Sequence, residues 1–222
     1  MTERRRRTSI PPTSDDDKAE FERRLRSQGR APVDSVELAR RFAELAAESG
    51  EAEVAFATVD TPVGTTSVAS TQTGIVSVGL PNHPLDEFVE RLSAEISPRV
   101  VEAPGRLDEA RRELDEYFGG RRQKFDLALD WTLVPGGFYG KVLKVTSTLH
   151  YGEVMTYGNV AREAGNPRAH RAAGTAVGIN PLPIVVPCHR VVRAGGGDPG
   201  NYGGGPELKR WLLELEGSLT ST

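Results

Sequence analysis

Between Val54 and Leu80 the apolar residues fall in short, β-branched runs, and from Leu85 onward they recur at helical spacing. That change of period limits the fold more than any other feature of the chain. Val54 to Val59 and Thr65 to Ala69 read as strands joined by a turn at Thr61-Pro62-Val63-Gly64, and Gly74 to Leu80 predicts a third. Helices are expected over Leu85 to Ile96 and Leu107 to Phe118. In the second, Leu107, Ala110, Leu114 and Phe118 share a face, and Gly119-Gly120 ends the run. Residues 52–130 therefore read as an α/β unit whose apolar stripes are core, with no catalytic constellation among them. Ahead of it, Val36, Ala39, Phe42 and Ala46 predict an amphipathic helix over Ser35 to Glu48, inside an extension covering 33–51. Residues 1–32 combine an Arg run (Arg4 to Arg7), Pro11-Pro12 and Asp15-Asp16-Asp17 with almost nothing apolar, the composition of a disordered, solubilising tail.

Residues 131–137, with Pro135-Gly136-Gly137, read as a linker. Beyond them Phe138, Val142, Val145 and Leu149 mark a helix. Two short helices, Tyr157 to Ala164 and Arg168 to Val177, then flank Gly165-Asn166-Pro167. That is the outline of a helix-turn-helix, which many all-helical domains share. A closing helix over Leu208 to Glu216 places Trp211, Leu212 and Leu215 inward, so 138–217 form a second, mostly helical domain and 218–222 a short tail. The expected class is α/β in the α+β sense.

The net charge of −3 excludes a strongly basic coat for nucleic acid. Charge is uneven, however. From Gly136 onward nine Lys/Arg face six Asp/Glu, so any contact with DNA is expected there. No apolar run reaches the length of a membrane span, and none follows the Arg run to make a secretory signal. A single cysteine allows no internal disulfide, which points to a reducing, cytoplasmic setting.

That cysteine stands in Asn180-Pro181-Leu182-Pro183-Ile184-Val185-Val186-Pro187-Cys188-His189-Arg190-Val191-Val192. Free cysteines are often small buried core residues. Here, though, proline fixes the backbone just before Cys188, and a histidine and an arginine follow it. A neighbouring base or positive charge favours the nucleophilic thiolate. The Gly-rich stretch from Gly195 to Gly205, broken by Tyr202, lacks the Gly-Lys-Ser/Thr ending of a phosphate-binding loop. It would let backbone amides approach a planar ligand. Glu216 reads either as an exposed charge or as the third member of a Cys-His-acid relay.

Taken together, these motifs resemble the O6-alkylguanine-DNA alkyltransferase family, the methylated-DNA–protein-cysteine methyltransferases. The resemblance runs from about Phe138 to Gly217. It rests on Tyr151-Gly152-Glu153-Val154 with Thr156-Tyr157-Gly158, on Gly165-Asn166-Pro167-Arg168-Ala169 with Arg171, and on Asn180-Pro181. Further support comes from Pro187-Cys188-His189-Arg190-Val191-Val192, Gly200-Asn201-Tyr202 with Gly204-Gly205, and Lys209-Arg210-Trp211-Leu212-Leu213 with Glu216-Gly217. Upstream, from about Val54, the chain is similar more loosely to the family's ribonuclease-H-like domain.

The resemblance implies that Cys188 accepts the alkyl group irreversibly from O6-alkylguanine in double-stranded DNA. His189 takes the thiol proton through a water, Glu216 holds the imidazole and Asn180 braces the turn. Tyr157 protonates the departing base. The carbonyls of Cys188 and Val191 accept from the guanine amino group, while Tyr202 and the Gly203 amide line the O6 side. Pro183 and Gly200 leave room for a benzyl group. For DNA, the resemblance implies Arg171 as the side chain that fills the vacated stack. Arg168, Ala169, Ala172 and Gly174 belong to a helix that enters the minor groove, where small residues allow close approach. His170 is bulkier than the family's usual alanine, many members carry serine where this chain has Gly203, and the loop between Val192 and Tyr202 is one residue longer. No cofactor is implied. With Cys188 the sole cysteine and His83 the only histidine before His150, the chain lacks the ligands of the zinc site that some members have. A monomer is expected when DNA is absent. Relatives without the cysteine act instead as alkylguanine-recognition modules that recruit other repair factors, the reading that Cys188 counts against.

Overall fold

The computed structural model describes residues 35–195 and 200–219. The expected tail over 1–32 and part of the Gly-rich loop lie outside the described residues. Helix α1 spans Ser35–Ser49, as the periodicity predicts. Its inward residue is Ala47, whereas Phe42, assigned to the apolar stripe, is 71% exposed. Glu44 and Ala47 instead reach the chain near Pro104: the Gly105 amide donates to Glu44 Oε1 (3.0 Å) and Arg106 Nη1 to the Ala47 carbonyl (3.1 Å).

Strands β1 (Val54–Thr61), β2 (Gly64–Ser70) and β3 (Ile75–Gly79) form an antiparallel meander. Gly64, at φ 117°, and a hydrogen bond from Thr61 Oγ1 to its carbonyl (2.6 Å) close the first hairpin. After β3, helix α2 (Leu85–Glu95) crosses over to β4 (Val100–Glu102), which pairs in parallel with β1 and completes the order β3-β2-β1-β4. The short β4, three residues without alternation, carries no sequence signal.

Because side chains alternate across a strand, the sheet feeds two cores. Val54, Ala69 and Val76 meet Phe88 and Leu92 of α2 on one face. On the other, Ala55, Ala57, Val68 and Val78 meet Leu107, Ala110, Leu114, Tyr117 and Phe118, from the short 3-10 turn Pro104–Leu107 and helix α3 (Asp108–Phe118). That second core continues without a break into the helical half, through Leu143, Leu182, Ile184, Val186 and Leu212.

The helical half comprises α4 (Gly137–Thr146), α5 (Tyr157–Glu163), α6 (His170–Gly178) and α7 (Pro206–Leu215). Helix α4 ends before the expected Leu149. Ala173, Ala176 and Val177 of α6 pack on Val142, Val160 and Ala161, with Cys188 and Val191 in the same cluster. Thr156 caps α5 by accepting from the Asn159 amide (3.3 Å), and Gly165, at φ 93°, turns the chain toward α6. Two dipeptide strands, β5 (Met155–Thr156) and β6 (Val191–Val192), pair in parallel. Among the described residues no helix is long and apolar enough to cross a membrane.

Candidate active site

Cys188 opens a single 3-10 turn, Cys188–Arg190, directly after Pro187. The turn before it is held by Asn180, whose Oδ1 accepts from the Leu182 amide (3.0 Å) and whose Nδ2 donates to the Val186 carbonyl (2.9 Å). Within that loop Ile184 sits at φ 74°, a left-handed conformation that strains a β-branched residue. Its burial (1% exposed) and the hydrogen bond from the Val186 amide to the Leu182 carbonyl (2.8 Å) hold it there. The sheet grips the same loop, since the Pro181 carbonyl accepts from the Val78 amide (2.8 Å) and Ser77 Oγ (3.2 Å).

His189 and Glu216 meet as the motif implies, His189 Nε2 lying 2.9 Å from Glu216 Oε1 with both side chains fully buried. A hydrogen carried on Nε2 toward the carboxylate leaves Nδ1 as the basic nitrogen. Nδ1 is buried and has no protein hydrogen-bond partner among the described residues. Burial keeps the imidazole below its ordinary pKa despite the Glu216 carboxylate, so His189 is neutral near pH 7. Burial alone would push the Glu216 carboxyl up. Hydrogen bonds from His189 and Arg190, and their charges, hold it far below the usual carboxylate range instead.

Arg190 departs from expectation. Its guanidinium turns away from the thiol and clamps Glu216, Nε to Oε2 (2.8 Å) and Nη2 to Oε1 (2.8 Å), while Nη1 donates to the Leu149 carbonyl (2.6 Å). A buried carboxylate needs that bidentate partner more than a buried thiol does. The cation that acts on Cys188 is Lys209 of α7. Burial raises the thiol above its ordinary pKa, against a hydrogen bond from Asn180 and the charge of Lys209. Fully buried itself, Lys209 donates to the Val191 carbonyl (2.6 Å) and lies 3.4 Å from the Tyr157 hydroxyl. In the sequence Lys209 stands out only as part of the Lys209-Arg210-Trp211-Leu212-Leu213 motif; a lysine on the inward face of an amphipathic helix is the signal that marks it.

Pairing of β5 with β6 places Tyr157 at the start of α5, beside the strand that leaves the Cys188 turn. Tyr157 faces a cleft of about 620 Å³, lined also by Arg171, Gly174, Arg193, Tyr202 and Gly203. Gly200, at φ 88°, packs so closely that a Cβ would stand 3.2 Å from the Tyr157 hydroxyl. A Cβ at Gly203 would meet Leu80 at 3.9 Å, so that position has space for serine. Tyr202 bridges the two regions. It lines the cleft, and burial, reinforced by the nearby Cys188 thiol, holds its phenol well above the ordinary pKa. His170 lines the cleft as well.

Pro183 is buried inside the 181–187 loop, Val191 is wholly buried with its carbonyl accepting from Lys209, and Arg168, Ala169 and Ala172 lie on α6 or its approach and do not line the cleft. Conversely, the α/β half contributes a group the sequence reading denied it: Tyr117 of α3 donates its hydroxyl to Glu216 Oε1 (2.7 Å) and stands 3.4 Å from His189 Nε2.

The family model for the DNA-binding domain of 6-O-methylguanine DNA methyltransferase matches residues 137–218, and that for its ribonuclease-like domain matches residues 54–131. The chain belongs to the methylated-DNA–protein-cysteine methyltransferase family. A methyltransferase of this name from Mycobacterium tuberculosis (strain ATCC 25618 / H37Rv) is 38% identical over 163 residues, covering 73% of this chain and 92% of the relative. One from Methanosarcina acetivorans is 36% identical over 165 residues, covering 73% and 98%. A crystal structure of Mycobacterium tuberculosis OGT in complex with DNA matches with a TM-score of 0.63 at 36% identity, over 74% of this chain and 93% of that one.

Proposed function

We propose that this methyltransferase repairs DNA by taking the alkyl group of O6-alkylguanine onto Cys188, once per molecule. The observation that carries the reading is the buried His189-Glu216 pair on the turn that Cys188 opens, with Tyr202 lying between the thiol and the Tyr157 cleft. At rest the thiol is protonated and His189 neutral, so neither adds a charge to the core before substrate arrives. In the reaction a bond forms between Cys188 Sγ and the alkyl carbon as the bond from that carbon to O6 breaks. The thiol proton passes to His189 through a water, and Glu216, already anionic, stabilises the imidazolium. Guanine leaves with the electron pair and is protonated by Tyr157, whose own proton is restored through solvent from His189. The product thioether is stable, and nothing regenerates the thiol.

A stacked guanine cannot offer its alkyl carbon to an in-line thiol, so the base must be extruded, at roughly a few kcal/mol. Arg171, exposed on α6 at the cleft edge, fills the gap; Ala169, Ala172 and Gly174 bring the helix close to the minor groove, and Arg168 supplies charge. The Val191 carbonyl already accepts from Lys209 Nζ, and its second lone pair remains to receive the guanine amino group with the Cys188 carbonyl. The Gly203 amide faces O6. We place the protein in the cytoplasm as a monomer when free of DNA.

Cys188→Ser tests the reading. The variant is expected to bind duplex containing O6-methylguanine as the parent does and to transfer nothing. Residual transfer would put the nucleophile elsewhere.

A further inference from the structure

We propose that Tyr117 is a positioning residue for alkyl transfer: its hydroxyl, presented by the α/β half, fixes the Glu216 carboxylate that orients and tunes His189. The proposal rests on the Cys188 transfer reading. Glu216 Oε1 receives three donors, Tyr117 Oη (2.7 Å), Arg190 Nη2 (2.8 Å) and His189 Nε2 (2.9 Å), while Oε2 receives Arg190 Nε (2.8 Å) and the Gly152 amide (3.3 Å). Among the described residues Tyr117 is the one donor to this carboxylate from the α/β half.

Its hydroxyl is fixed rather than mobile. Tyr117 is wholly buried, and its ring is wedged against Phe118, Phe125 and Tyr151 at centroid separations of 5.5, 5.3 and 6.3 Å. Burial and the Glu216 charge keep the phenol protonated far beyond neutral pH, so it donates at every step of the reaction. Apolar core needs the ring but not a hydroxyl, and a hydroxyl pointed at a catalytic carboxylate exceeds what packing requires.

Its effect has a definite sign. Density drawn toward Tyr117 leaves Oε1 a weaker partner for the imidazole. Without the hydroxyl, the carboxylate would hold a proton on His189 more tightly, and less neutral base would be present below neutral pH. The other groups facing His189 are Cys188 and Arg190 on its own turn, Lys209 on α7, Tyr202 from the Gly-rich loop and Glu216. None changes in Tyr117→Phe, which keeps the ring. Tyr151 packs on Tyr117 and donates to the Leu215 carbonyl (2.8 Å), outside the pair.

The experiment measures the pH dependence of single-turnover transfer to O6-methylguanine duplex for the full chain and for Tyr117→Phe, with the His189 titration followed by NMR in unreacted protein. The expected result is an acid limb displaced upward by about half a pH unit or more. Transfer on the plateau should fall about tenfold, short of the ~100-fold that losing a general base costs. The displacement should vanish in a Glu216→Gln background. Should Tyr117→Phe fold poorly, 3-fluorotyrosine at 117 keeps the ring and strengthens the donor, and must move the limb downward. An unmoved limb and titration, or an equal shift in both backgrounds, overturns the proposal. Absent transfer in the parent protein would sink the Cys188 reading instead, and the His189 titration would still report on Tyr117.

Discussion

Single charges decide this site because nearly all of them are buried. Lys209 is the clearest case, a fully buried ammonium that steadies the Val191 carbonyl, the Tyr157 hydroxyl and, through its charge, the Cys188 thiol. Lys209→Met keeps the volume and removes the charge. The thiol should then be harder to ionise, and single-turnover transfer at pH 7 should slow by roughly tenfold or more, the weight of one well-placed electrostatic group. Unchanged kinetics in a folded variant would remove Lys209 from the mechanism. At this scale the sequence was informative where partners are neighbours: Cys188 and His189 announce themselves in four contiguous residues. Tyr117 was invisible because 99 residues separate it from Glu216, and nothing in an α-helical Leu-Asp-Glu-Tyr-Phe run distinguishes a core tyrosine from one that donates to a relay. For Arg190, the adjacent thiol was legible and the carboxylate 26 positions away was not.

Among the elements, the loops do more positioning than the helices. The 180–187 turn carries a strained Ile184 and is tied by both ends of the Asn180 amide, so Asn180→Ala should destabilise the protein by about 1–3 kcal/mol, the cost of leaving buried partners unsatisfied. Chemical denaturation measures this. Gly200 leaves little room beside Tyr157 for a side chain, and its backbone angle is one that side chains resist. Gly200→Ala should therefore slow transfer by more than tenfold and cost about 1 kcal/mol or more of stability, because a side chain at φ 88° is strained, whereas Gly203→Ser should stay within about 0.5 kcal/mol of the parent. Stability and single-turnover rates for the pair separate a tight position from an open one. Strands β1 to β3 and the described helices were readable, most from periodicity and the short pair α5 and α6 from the turn between them. The pieces that escaped, β4, β5 and β6, have only two or three residues each, too few for a period to show. Helix α1 was readable in extent but not in facing, since Ala47 turns inward and Phe42 does not.

For the molecule as a whole, one core runs from the sheet into the helical half, and the relay is assembled across it. Folding and catalytic competence therefore share their response to acid. His189 is buried neutral with its pKa below the ordinary 6.5, so the unfolded chain takes up that proton first and stability declines as pH falls below about 6.5. Glu216 is depressed from its ordinary 4.5, which removes further stability as pH falls below that value. Urea midpoints should hold level near pH 7–8, decline below about 6.5 and drop more steeply below about 4.5. A level profile down to pH 4 would contradict the buried relay. The measurement that bears most directly on the central claim is intact-protein mass after incubation with excess duplex containing O6-methylguanine, followed by peptide mapping. One added methyl group per chain is expected, on the peptide that contains Cys188, with no further turnover. Unchanged mass despite tight binding to the lesion, or a methyl group on another residue, would contradict it.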